Sequence, residues 1–222
     1  MRIGGAQYFV PDYARHRPVA RRMLGGRLVS PGLHRFVGRV LRERPGSMVH
    51  AGTFFGDMLP SFSRKTPGLV YAFEPVFENY LLARSVVEVN RLENVLLLHA
   101  GLGDRLRVAT IGVARGPRKR HLGGAARILT PRSKPHSQTQ LTSLLTVDLL
   151  AIEDLSLVQL DTEGYELPIL QGAEATLRAQ RPVVVVEDNK DSCSAFLSGL
   201  GYTPVRTFAR DTVYTATDAS SS

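Results

Sequence analysis

Asp161, Glu163 and Glu166 stand close together in the run Val158-Gln159-Leu160-Asp161-Thr162-Glu163-Gly164-Tyr165-Glu166. A positioned carboxylate can take the proton of a hydroxyl while that oxygen forms a new bond, so such a cluster suits general-base work. Apolar-leaning residues lead into Asp161, and Leu167, Ile169 and Leu170 resume an apolar pattern after it. The pattern is a strand that delivers acids to its own C-terminal end and then turns into a helix. In open α/β sheets ligands bind in the crevice outside the carboxyl ends of the strands. A helix needs one acid to cap its first turn. Three are present, and the surplus makes Asp161 and Glu163 the candidates for chemistry.

Two other strand ends carry matching features. Ser47-Met48-Val49-His50-Ala51 reads as a short strand, followed by Gly52-Thr53-Phe54-Phe55-Gly56-Asp57 and a helical run through Leu59, Phe62 and Ser63. Strand, glycine turn and helix open a nucleotide-binding βαβ unit, in which glycine lets the backbone approach a ligand closely. A second apolar strand, Leu69 to Phe73, ends in Glu74-Pro75. An acid there, about twenty residues past the glycine turn, is where such folds bind ribose hydroxyls. Val95 to Ala100 is a third strand, with Gly101-Leu102-Gly103-Asp104 as its terminal loop.

The rest of the chain must position these ends. Tyr80, Leu81, Ala83, Val86 and Val87 give the buried face of a helix from Phe77 to Arg91, and Leu167, Leu170, Ala173 and Leu177 give another. Pro182 to Val186 is a β-branched fifth strand ending in Glu187-Asp188-Asn189; Tyr202–Phe208 and Thr212–Thr217 read as a closing hairpin before a frayed Ser-rich tail. Strands alternating with helices imply an α/β fold with a parallel sheet covered on both faces. Residues 105–147 break that rhythm. Val108 to Val113 suits a strand, but Arg115 to Lys134 is rich in Gly, Pro and cations, including Arg118, Lys119, Arg120, Arg127 and Arg132, and reads as a mobile basic excursion. Residues 1–46 form a basic N-terminal extension, with an amphipathic helix marked by Leu33, Phe36, Val37, Val40 and Leu41.

Composition narrows the class. The 222 residues, 43% hydrophobic and 22% charged, suit one α/β domain over residues 47–218 with that extension and insertion. A net charge of +8 favours an anionic partner: a phosphate-bearing substrate, nucleic acid or a membrane surface. The lone Cys193 excludes an internal disulfide, no apolar run approaches a membrane span, and Met1 to Gly5 lacks the apolar segment of a signal peptide. A soluble, cytoplasmic protein is expected.

In their order, Gly52-Thr53-Phe54-Phe55-Gly56-Asp57, Phe73-Glu74-Pro75, Gly103-Asp104, Leu160 to Glu166 and Arg181-Pro182 through Glu187 resemble the FkbM-type family of S-adenosylmethionine-dependent methyltransferases. The resemblance covers roughly residues 47–190, and Asp-x-Glu-Gly-x-Glu followed by Leu170-Gln171-Gly172-Ala173 is its most specific part. It implies a Rossmann-like class I methyltransferase fold, a seven-stranded sheet with the last strand antiparallel, and O-methylation of a sugar, glycan or secondary metabolite. By the same resemblance Gly52 and Gly56 underlie the methionine portion of S-adenosylmethionine, Glu74 with Pro75 holds the ribose, Gly103 and Asp104 lie near the adenine, and Asp161 and Glu163 face the reacting centre. Three positions depart from it: His50 replaces an acid at the end of the first strand, and Thr53 and Phe54 replace a small residue and Asn. A neutral imidazole offers both a donor and an acceptor, so His50 can still bond the cofactor.

Methyl transfer from a sulfonium is an in-line displacement, accelerated by holding the nucleophile at attack distance and removing its proton. Asp161 or Glu163 suits that role for a small-molecule or glycan hydroxyl. Asp161, Asp188 and Asn189 are also similar to the Mg²⁺ ligands of catechol-type O-methyltransferases, an all-oxygen set suited to a hard cation. Two other functions compete: an RNA-modifying methyltransferase using the arginine-rich segments, and a non-catalytic binding module on the same fold. RNA binding calls for aromatics among the cations, and residues 115–134 contain none. Acceptor choice is expected to lie in the extension and the 105–147 insertion.

Overall fold

The structure is a computed structural model and describes residues 1–115, 120–121, 125–187 and 191–217, with the backbone alone at 120–121. In chain order its elements are β1 (Arg2–Ile3), β2 (Ala6–Gln7), α1 (Pro18–Leu24), α2 (Pro31–Glu43), β3 (Ser47–Ala51), α3 (Leu59–Ser63), β4 (Val70–Phe73), α4 (Phe77–Val89), β5 (Val95–Leu98) and β6 (Gly101–Leu102). There follow β7 (Arg107–Arg115), β8 (Arg120–His121), β9 (Arg127–Ile128), β10 (Gln138–Leu145), β11 (Leu155–Leu160), α5 (Glu166–Gln171), α6 (Glu174–Gln180), β12 (Val183–Glu187), α7 (Ser192–Gly199), β13 (Tyr202–Phe208) and β14 (Asp211–Ala216).

A seven-stranded sheet in the order β13-β14-β12-β11-β3-β4-β5 organises the chain. Its strands β12, β11, β3, β4 and β5 pair in parallel, and β14 runs antiparallel to both β12 and β13. The last strand is therefore the antiparallel one, in the α/β arrangement expected of a class I methyltransferase. From β3 the chain builds outward through β4 to β5, then returns to lay β11 on the opposite side of β3. The strand order reverses between β3 and β11, and a crevice opens at the carboxyl ends at such a switch point. Gly52 follows β3 directly and Asp161 follows β11, so topology alone brings these two residues together.

The buried strands read as near-continuous apolar runs because both faces are covered. On one face Val49, Ala51, Val158, Leu160, Val184 and Val186 pack with Leu170, Leu177 and Leu197 from α5, α6 and α7. On the other, Met48, Leu157, Val185, Val70 and Ala72 meet Leu33, Phe36, Val37, Val40 and Leu41 of α2 and Phe62 of α3. At about 1.5–3 kcal/mol per large apolar side chain removed from water, this packing rather than propensity holds α2 in place. Helix α2 starts at Pro31, whose missing N–H costs nothing at the first helical position.

Two regions differ from the sequence expectation. The insertion forms a second sheet in which β10 pairs antiparallel with the length of β7, with β6 parallel to β10 and with β8 and β9 on β7. Residues 125–134 are thus not a free excursion: Ala126 and Ile128 pack against Val76, Ile111 and Val113. Arg118, Lys119 and the Arg120 side chain lie outside what the structure describes. The segment before α2 is likewise packed. Ala6, Tyr8, Ala14, Ala20 and Met23 form a small core with Phe54, Phe55 and Val86, directly on the turn that follows β3. No helix of the described residues is long and apolar enough to cross a membrane.

Candidate active site

A cavity of about 590 Å³ opens at the carboxyl ends of β3, β4 and β11. That volume lies within the roughly 300–1,000 Å³ typical of small-molecule and cofactor sites. Its floor comes from the strand ends: His50, Gly52 and Phe54 after β3, Glu74 and Pro75 after β4, and Asp161, Thr162 and Glu163 after β11. Further walls come from Arg17, Pro18 and Val19 of the N-terminal segment and from Ile111, Arg127 and Ile128 of the second sheet.

Gly52 sets the floor. Its φ is +90°, and a Cβ there would stand 1.8 Å from the Asp161 carbonyl oxygen, so only glycine lets the ends of β3 and β11 come this close. The Asp161 N–H donates to the Ala51 carbonyl at 3.0 Å, and the N–H groups of Gly52 and Thr53 both donate to the Phe73 carbonyl at 3.2 Å. Phe54 also has a positive φ, +52°, which turns its N–H toward the end of β4.

That N–H donates to Glu74 Oε2 at 2.7 Å, while Val76 N–H donates to Oε1 at 2.9 Å and Asn79 Nδ2 to the same oxygen at 3.3 Å. Glu74 is buried, and burial pushes its carboxyl up to about 7 against the pull of those donors. A carboxylate oxygen carries two acceptor sites, so Glu74 is held rigidly yet keeps lone pairs for further donors.

His50 is buried opposite Gln159, its register partner on β11, and its Nδ1 bonds Gln159 Oε1. Its ring edge meets Phe62, and its Nε2 is buried without a hydrogen-bond partner. Burial lowers its pKa to about 4, so the ring is neutral; with Nδ1–H donated to Gln159, Nε2 is a bare acceptor at the cavity wall.

The three acids after β11 divide their roles. Glu166 Oε1 accepts from Thr162 N–H at 2.8 Å, Thr162 Oγ1 at 3.0 Å and Gly164 N–H at 3.2 Å, which ties the loop into one shape. Asp161 and Glu163 line the cavity, and burial raises both carboxyls. Arg210 pulls Asp161 back down; Asp161 itself raises Glu163 further, and Arg127, 3.7 Å from Glu163, opposes that.

Asp57, Glu187, Arg210 and Asp211 also line the cavity, and sequence reasoning did not assign them a role there. Asp57 sits in the quoted glycine turn, and burial raises it to about 7. Arg210 comes from the β13–β14 turn and Asp211 from the start of β14, beside the end of β12, where Arg210 pairs with Glu187; burial raises Asp211 to about 6.

Of the residues the sequence singled out, His50, Gly52, Phe54, Glu74, Pro75, Asp161 and Glu163 meet at the cavity. Thr53 is buried behind it, and Gly56 backs onto Ala83 and Val86 of α4. Gly103 and Asp104, expected near the adenine, directly follow the cavity-lining Gly101 and Leu102 and are not themselves among the lining residues. The chain bends after β5 so that Gly101 and Leu102 face the cavity, Gly103 N–H donates to the Leu145 carbonyl at 2.8 Å, and Asp104 turns outward beside Arg105. Asp188 and Asn189, candidates with Asp161 for Mg²⁺, lie outside the described residues. Among the described residues, no group of three or more His, Cys, Asp or Glu side chains is disposed to hold a metal ion.

Comparison with solved structures extends the fold assignment. The crystal structure of a methyltransferase FkbM from Methylobacillus flagellatus KT is 14% identical, with 96% of this chain and 63% of that chain covered and a TM-score of 0.52. This chain thus spans less than two thirds of that protein's length. A methyltransferase from Geobacter sulfurreducens is 12% identical, with 94% and 90% covered and a TM-score of 0.54. The precorrin 8W decarboxylase of Methanobacterium thermoautotrophicum is 14% identical, with 85% and 91% covered and a TM-score of 0.51. Identities this low carry the fold alone, and no curated protein matches the chain. The sequence itself goes further: the profile of the methyltransferase FkbM domain matches residues 50–202, from the β3 histidine to the first residue of β13, and the chain belongs to that family.

Proposed function

We propose that this chain is an S-adenosylmethionine-dependent O-methyltransferase acting on a hydroxyl of a small-molecule or glycan acceptor. One observation carries the reading: Gly52, Glu74 and Asp161, each from a different strand end, line one cavity. The residues present suit the cofactor. Glu74 is rigidly held with acceptor capacity left for the ribose hydroxyls, and His50 Nε2 is a buried acceptor with no protein partner. The turn at Gly52 and Phe54 brings backbone to the cavity floor. When bound, S-adenosylmethionine supplies an electrophilic methyl group on a sulfonium.

The chain's own contribution is positioning and proton removal. Asp161 is the proposed base. It sits at the switch point, fixed through its backbone N–H to Ala51, and its raised pKa brings it nearer neutrality, where a base works best. Glu163 stands beside it, steered by Arg127 of the second sheet, and shapes the acceptor side of the cavity. Glu166 keeps the loop from collapsing onto either acid. Walls from the N-terminal segment and the insertion exclude water and give the acceptor its binding surface, in keeping with acceptor specificity lying in these two regions.

The test is Asp161→Asn, which keeps the shape and removes the base. Turnover with a competent acceptor is expected to fall about 10²–10⁴-fold, the usual worth of a general base, with cofactor affinity within a few-fold of wild type. Unchanged turnover removes Asp161 from the mechanism.

A further inference from the structure

Among the described residues three arginines line the cavity, Arg17, Arg127 and Arg210. Two are already answered by acids on the same wall, Arg127 by Glu163 and Arg210 by Glu187. Arg17 is different. It makes no ion pair with any described residue, and its Nε is buried without a hydrogen-bond partner. Its backbone is satisfied, the N–H donating to the Ala14 carbonyl at 2.8 Å and the carbonyl accepting from Arg21 at 2.9 Å. The unmet need is therefore confined to the side chain. A guanidinium presents N–H donors in a planar fork that matches a carboxylate, and a buried donor left unmet is costly.

Position says which carboxylate. The segment that carries Arg17 is packed through Tyr8, Ala14, Ala20 and Met23 onto Phe54 and Phe55, so Arg17 enters the cavity over the turn that follows β3. Glu74 stands at the end of β4, where a rigidly held acid with acceptor capacity suits hydroxyl donors rather than another acid. A ligand with a ribose at one end and an amino-acid group at the other is thereby oriented, with the ribose at Glu74 and the amino acid beneath Arg17. Asp57, in the same turn after β3 and on the cavity wall, is an acid that suits an ammonium and cannot hold a carboxylate when ionised.

Resting on the transferase reading above, we propose that Arg17 binds the α-carboxylate of S-adenosylmethionine, which makes the N-terminal segment part of the cofactor site. The test compares two ligands by calorimetry on wild type and Arg17→Ala. S-adenosylhomocysteine carries the amino-acid group; 5′-methylthioadenosine lacks it. The substitution is expected to weaken S-adenosylhomocysteine by about ten- to a hundredfold, the worth of a hydrogen bond to a charged group, and to leave 5′-methylthioadenosine within about twofold. Equal losses for both ligands would assign Arg17 to the packing of the segment and overturn the proposal. No loss for either overturns it too, leaving the guanidinium to the acceptor or to solvent. Failure of wild type to bind either ligand would instead remove the transferase reading, and this assignment with it.

Discussion

Gly52→Ala should be far more damaging than its one methyl group suggests, and its magnitude follows from two separable terms. The first is backbone conformation. At φ +90° an L-residue is disfavoured by about 1–2 kcal/mol. The second is contact. The new Cβ would lie 1.8 Å from the carbonyl oxygen of Asp161, a backbone atom held by the β3–β11 pairing, and must retreat by more than an ångström to reach any contact found in real structures. The only way to make room is to part the two strand ends, which stretches the Asp161 N–H bond to Ala51 and adds about 1 kcal/mol. A total stability loss of about 3 kcal/mol is expected in urea unfolding, together with a fall of about a hundredfold in turnover, since the displaced residue is the proposed base. Gly164→Ala separates the terms. Its φ is +97°, but a Cβ there meets nothing within 4 Å, so only the conformational cost of about 1–2 kcal/mol applies. Equal losses in the two variants would refute the close approach of β3 and β11 at this point.

The buried acids predict an unusual pH dependence for the ligand-free chain. Glu74 moves from 4.5 to about 7 and Asp57 from 3.8 to about 7 on folding, so between those values the folded chain holds protons that the unfolded chain has released. Stability is fully present below about pH 4 and is lost as pH rises through 7. Each group contributes on the order of 3 kcal/mol, enough to lower Tm by roughly 6–12 °C between pH 5 and 8. Asp57→Asn should flatten part of that slope, and a Tm that rises across the range would contradict the burial of both carboxyls. Glu166→Ala removes the acceptor shared by Thr162 and Gly164 and should cost about 1–3 kcal/mol in urea unfolding, with turnover falling more than cofactor affinity because the loop it shapes carries Glu163. Unaltered kinetics in that variant would separate the loop from the chemistry.

The main sheet was readable because its signals are local. Val183 to Val186 can only be a strand buried on both faces, and the spacing of Leu33, Phe36, Val37, Val40 and Leu41 can only cover one side of a helix. The second sheet was not readable. Gln138–Leu145 alternates weakly with Gln, Thr and Ser, and its strand character comes from pairing with β7 across a long intervening segment. The site divides in the same way. Gly52, Glu74 and Asp161 sit at ends of strands that the sequence marks clearly. Arg210 lies in a hairpin turn and Asp211 at the first position of β14, and they reach the cavity only because β14 inserts next to β12 and carries that end of the hairpin to the same rim. Arg17 had still less signal, one arginine among many, distinguished only by what its segment packs against. The path of Gly103 and Asp104 was not legible because β5 ends at Leu98 and the chain then bends to join β10, a long-range pairing that no local pattern announces.

The central claim is that glycine turn, ribose acid and proposed base form one cofactor site. Titration of the wild-type chain with S-adenosylmethionine, repeated with Glu74→Ala, tests it most directly. Saturable one-to-one binding is expected in the wild type and a loss of at least about tenfold in the variant, as the ribose hydroxyls lose a rigidly held acceptor. No heat of binding at millimolar cofactor from a demonstrably folded wild type would contradict it.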